Sequence, residues 1–180
     1  MAIVAGDILL KFSVVAAAGN TTAGSANTSL GDQLSTTQVT DATLNNLFDD
    51  VTGDENAASD VEYRCIFVHN NHATITWENV VVWLSGETTG GASIQIAIDD
   101  FAASPIGQAS AQADVIADEN TAPGAGVGAF SAPILKASGL SLGNIAPAYC
   151  RAVWIKRTAA NTAAKNNDDV TLSYEGDTGA

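Results

Sequence analysis

Two histidines, two cysteines and a surplus of carboxylates are the side chains through which this sequence could do chemistry. His69-Asn-Asn-His72 places two imidazoles around an expected turn, where they could begin a metal site. No third ligand and no Cys-x-x-Cys spacing accompanies them, so they read as polar turn residues and no metal is assigned. Cys65 and Cys150 lie inside apolar, strand-like runs, where a thiol behaves as a small hydrophobe. The expectation is two free buried thiols, with pairing across a sheet as the alternative. A Gly-x-Ser-x-Gly elbow, a phosphate-binding loop and a Cys/His nucleophile motif are all absent from the sequence, which therefore offers no catalytic residue and no cofactor site.

The carboxylates are as unspecific. Asp49-Asp-Val-Thr-Gly-Asp-Glu55 invites a calcium reading, but its spacing does not match an EF-hand loop, and a solvated acidic turn is expected. Glycoside hydrolysis needs two positioned acids, and no pair stands out. The run Gly124-Ala-Gly-Val-Gly128 has the look of a dinucleotide fingerprint, yet no apolar strand feeds it and no helix follows, so it reads as a flexible loop. Trp77, Trp83 and Trp154 could stack on sugars. They sit in the most apolar stretches and read as core, and a carbohydrate-binding role requires that one of them face outward.

Charge excludes partners more sharply than it names them. With 20 acidic against 7 basic residues the formal net charge is −13, which disfavours binding to a nucleic acid backbone or an anionic membrane surface. The first seven residues carry no basic group, and Ile8-Leu-Leu10 is too short for the apolar part of a signal peptide, so a soluble protein starting near Met1 is expected. Asn20-Thr-Thr22 and Asn27-Thr-Ser29 match the glycosylation pattern, a chance match without secretion.

The elements that would position these groups are strands. A chain of 180 residues with 46% hydrophobic content fits one domain, but only 6% is aromatic, so large core side chains are concentrated in a few segments. Residues 7–15 alternate, with Ile8, Leu10, Phe12 and Val14 on one face. Residues 61–84 form two strands joined near Asn70 and Asn71, with a bulge expected where the phase changes at Glu78-Asn79. Further strands are expected at 94–99, 148–157 and 169–175, a strand and a turn over 132–139 and 140–144, and one or two helical turns after Asp41 with Leu44, Leu47 and Phe48 at helical spacing. About eight short strands with long polar loops predict an all-β fold, a β-sandwich or jelly roll, in a single domain over 1–180. The Ser/Thr/Asn/Gly/Ala-rich segments 16–43 and 102–131 are expected to be flexible arms or loops that order against a neighbour.

Leu47-Phe-Asp-Asp-Val-Thr-Gly-Asp-Glu55, Glu62-Tyr-Arg-Cys-Ile-Phe-Val-His-Asn70, Val80-Val-Val-Trp-Leu84, Tyr149-Cys-Arg-Ala-Val-Trp-Ile-Lys-Arg157 and Tyr174-Glu-Gly-Asp177 give the chain from residue 47 onward a resemblance to small structural proteins of tailed bacteriophages. The resemblance implies a non-enzymatic virion component, first of all a head decoration (cement) protein that stabilises the shell by binding the major capsid protein. It also implies a homo-oligomer, with a trimer favoured. A neck, tail or fibre component and a carbohydrate-binding receptor module are the alternatives. Within the chain, residues 7–15 and the loop after them are the expected exchange arm between protomers.

Overall fold

The computed structural model describes residues 2–179, and over them the chain is all-β, with nine strands in two antiparallel sheets. The larger sheet is ordered β2 (Gln33–Gln38), β1 (Ile8–Val14), β3 (Val61–Asn70), β8 (Tyr149–Thr158), β5 (Ser93–Ile98), and the two-residue β6 (Ser104–Pro105) also pairs with β8. The smaller is β7 (Leu140–Ile145), β4 (Trp77–Ser85), β9 (Thr171–Thr178).

Alternation along the central strands divides the interior in two. Ile66 and Val68 on β3, Val153 and Ile155 on β8, and Ile94 and Ile96 on β5 point one way, onto Val80, Val82, Leu84, Leu142 and Ile145 of the small sheet. Cys65, Phe67, Cys150, Ala152, Trp154 and Ala97 point the other way and form a second core with Leu34, Ala113 and Ile116. β3 and β8 are thus buried on both faces, as their nearly continuous apolar sequences require.

The second core is closed by loops. Of the segments 16–43 and 102–131, expected as arms or mobile loops, the first contains the edge strand β2, and residues of both, Leu30, Leu34, Ala113 and Ile116 among them, cover the outer face of the large sheet. Gly19 N–H donates to the Gln108 carbonyl, Gln112 and Ala113 N–H donate to Asp32, and Ile116 N–H donates to Leu30. Small residues suit this layer because backbones can approach each other closely there. At Gly31, with φ at +99°, a Cβ would stand 1.7 Å from the Asp114 carbonyl oxygen.

Four local expectations are corrected. Residues 7–15 form no free arm within the chain, because β1 is bonded to β2 on one side and β3 on the other. β3 and β4 are no hairpin. They belong to different sheets, and the 71–76 crossing is stitched by Asn70 Nδ2, which donates to the carbonyls of Ile75 and Ile145 at 2.9 Å each. No helix follows Asp41. The α-helix α1 spans Gly53–Ala58 and begins within the supposed acidic turn, started by a capping box in which Thr52 Oγ1 accepts from Glu55 N–H and Glu55 accepts from Thr52 N–H. The run 124–128 is no loose loop, since Gly126 accepts from Asp100 N–H and Gly128 N–H donates to Ile98. The bulge at Glu78-Asn79 is present: the register of β4 shifts there against both neighbours, and Asn79 has φ 51°.

Candidate functional site

The β3–β8 register sets His69 directly opposite Cys150, a Cys/His juxtaposition that sequence motifs do not reveal because the residues belong to distant strands. Lys11 on β1 sits opposite Phe67, and so lies on the same covered face. Gln112, from the loop layer, donates to Cys150 Sγ at 3.1 Å and to Ser104 Oγ at 3.1 Å, while its Oε1 accepts from Leu34 N–H. Lys11 Nζ donates to Asn20 Oδ1 at 2.8 Å. These side chains form a buried polar cluster between sheet and loops: Lys11 is 8%, His69 2% and Cys150 0% exposed.

A nucleophilic cysteine needs a thiolate and a base that can hold its proton. Here burial pushes the Cys150 thiol up to about 12, and burial together with the Lys11 charge holds His69 down to about 4. Both groups are neutral near pH 7. No hydrogen bond joins them, and neither His69 nitrogen has a partner among the described residues. The pair is therefore no thiolate–imidazolium couple. Cys65 is likewise fully buried, its thiol pushed well up by desolvation. Both cysteines are free, because Cys65 pairs with Trp154 and Cys150 with His69, about four residues or ~13 Å apart along the ladder, beyond disulfide reach.

The remaining candidates have structural duties. His72 Nδ1 accepts from the backbone N–H of Thr74 and Ile75, shaping the crossing into β4, and it is not brought together with His69 in any cluster of three metal-binding side chains among the described residues. Asp49 pairs with Arg157, which also binds Glu62 in a buried ion pair. Burial raises the Glu62 carboxyl and the Arg157 charge opposes that shift. Phe48 lies under both Arg157 and Arg64, at 4.8 and 5.5 Å from ring centre to guanidinium. Trp77 and Trp154 are core, at 4% and 0% exposure. Trp83 is partly exposed and shares the outer face of the small sheet with Val81, since Val80, Val82 and Leu84 take the inner one.

Sequence reasoning missed Asp99. This buried carboxylate accepts from Phe101 N–H at 3.1 Å, and its other oxygen accepts from Asp114 N–H and Trp154 Nε1–H at 2.9 Å each. Its phase was a readable signal: two residues after Ala97, it must point to the covered face.

What remains accessible is surface. Ile134 and Leu135 are 67% and 63% exposed, in the segment whose Pro133 carbonyl accepts from Leu84 N–H of β4. Val15 and Val115 are also largely exposed, and Val15 lines a groove of about 360 Å³ with Val14, Leu30 and Ile116. Six of the seven cations are held by internal bonds to Asn20, Glu119, Glu175, Leu142 and Asp99 carbonyls, Gln95, or Glu62 and Asp49, so the surface field is strongly acidic. No helix among the described residues is long and apolar enough to cross a membrane. No protein-family model, curated protein or solved structure matches the chain.

Proposed function

We propose that this chain is a non-enzymatic structural protein of a tailed-phage virion, most specifically a head decoration protein that binds the major capsid protein. One observation carries the reading. The groups with chemical potential, Lys11, His69, Cys65 and Cys150, are sealed between sheet and loops, whereas exposed apolar side chains occur on the loop layer and beside the small sheet. That distribution suits adhesion. The resemblance of the aromatic runs to phage structural proteins supplies the address, and many weak contacts repeated by capsid symmetry supply the affinity. A homo-oligomer, with a trimer favoured, fits that symmetry.

Quantitative mass spectrometry of purified particles, with crosslinking of this chain to the major capsid protein, tests the proposal. Hundreds of copies crosslinked to the capsid protein are expected. About a dozen copies or fewer would instead place the chain in a neck, tail or fibre, and absence from particles would overturn the virion role. The outward Trp83 keeps glycan binding as a second reading, which predicts glycan-array binding lost in Trp83→Ala.

A further inference from the structure

The two sheets have four edges, and the chain closes the two of the large sheet. Along β2, Asn20 N–H donates to Leu34 and Thr36 N–H donates to Thr22, so residues 20–22 run beside the strand. Along β5, Ile96 and Ser131 exchange both hydrogen bonds and Gly128 N–H donates to Ile98. β7 is short and irregular, with φ +69° at Gly143, and its Leu142 carbonyl accepts from Arg151. β9 is different. It is eight residues long, pairs with β4 on one side, and among the described residues nothing bonds the backbone of 171–178 on the other.

An open edge of this length, about 26 Å of extended backbone, is a template for an added strand. Its side chains say which strand. Leu172 and Tyr174 pack against the inter-sheet core, while Glu175 and Asp177 lie on the outer face, where Glu78 pairs with Asp177. Lys136, bound to Glu175, is the one cation among the described residues bonded to these acids, and both partners are about half exposed, so that pair exchanges at little cost. A second copy is a poor occupant. It would bring its own Glu175 and Asp177, and a second charge of −13, to the same seam.

We propose that β9 is a strand-addition site for an extended segment of a partner protein with Lys or Arg at alternate positions and apolar residues between them. The added backbone continues the β7–β4–β9 sheet, the basic side chains face Glu78, Glu175 and Asp177, and the apolar ones cover Leu172 and Tyr174. The assignment rests on the edge itself and is independent of the virion role.

The test uses the full chain and a capped ten-residue peptide alternating Lys and Val, read by fluorescence anisotropy and amide hydrogen exchange. Binding is expected to protect amides within 171–178. It should be abolished when the ladder-facing amides of the peptide are N-methylated, and weakened about tenfold by the double substitution Glu175→Lys with Asp177→Lys. Those substitutions are at exposed positions, so the variant keeps the fold. Binding that survives N-methylation, protection confined to other segments, or no binding at all would overturn the proposal. So would sedimentation of the chain alone as a dimer with β9 amides already protected.

Discussion

Replacing His69 by leucine should make the protein more stable and less sensitive to acid. His69 is 2% exposed, lies opposite Leu9 of β1 and Cys150 of β8 on the face it shares with Lys11, and has no partner for either ring nitrogen among the described residues. Its folded-state pKa of about 4 lies below the ordinary 6.5, from burial first and the Lys11 charge second. A depressed pKa means that the unfolded chain takes up the proton first. The stability tied to neutral His69 is therefore complete above pH 6.5 and is lost as pH falls toward 4. At ~1.4 kcal/mol per pKa unit the full shift corresponds to about 3 kcal/mol, which partial solvent screening reduces to about 2 kcal/mol. Leucine removes two unsatisfied buried nitrogens, which should add about 1 kcal/mol at pH 7. Urea unfolding of both proteins at several pH values from 7.5 to 4 isolates the effect, because the carboxylate titrations common to both cancel in the difference. The gap should widen from about 1 to about 3 kcal/mol across that range. A constant gap, or a less stable His69→Leu variant at pH 7, would refute the reasoning and mean that the imidazole is satisfied within the fold.

Three further outcomes follow from the loop layer and its anchors. Gly31→Ala should cost more than about 3 kcal/mol in denaturant unfolding, because its Cβ would collide with the Asp114 backbone and its φ is positive. Asp99→Asn should cost about 2 kcal/mol and shift tryptophan emission to the red, since an amide must turn a donor toward Phe101 N–H or toward the Asp114 and Trp154 donors. In a thiol-reagent assay the native protein should show no rapidly reacting cysteine, both Cys65 and Cys150 should react in denaturant, and mild oxidation should produce no intramolecular disulfide. Fast native labelling would show that the loop layer opens.

What could be read from the residues was whatever depends on near neighbours. β3 and β8 are legible because apolar side chains occupy both alternating sets, and the Asn79 bulge because the alternation changes phase. α1 was legible too, in Thr52-Gly-Asp-Glu55, but its carboxylates drew attention to charge and away from their capping geometry. The polar cluster was not. That His69 meets Cys150 follows only from the pairing of β3 with β8, and that Gln112 bonds Cys150, Ser104 and Leu34 follows only from a loop crossing the sheet. The switch of sheet between β3 and β4 was hidden for the same reason, since Asn70 achieves it by bonding Ile145, which is remote in sequence.

The composition that suggested unanchored arms has a second physical meaning. Ala, Ser, Gly and Thr bury little apolar area, but they let backbones approach closely enough to hydrogen-bond, and Gly31 at the Asp114 carbonyl is the limiting case. Such a layer is held by backbone hydrogen bonds and a few anchors, Leu34, Gln112, Ala113 and Ile116, more than by area. Its opening should therefore need far less free energy than separating the two sheets, whose contact is built of Ile, Val, Leu and Trp77. Hydrogen exchange should resolve the difference as two tiers, with 102–131 exchanging through local opening and the β3 and β8 amides only through global unfolding. A strand added at β9 would extend the small sheet and leave the loop layer untouched. Binding there should slow exchange in β4 and β9 while leaving 102–131 unchanged, which separates occupancy of that edge from general stabilisation of the fold.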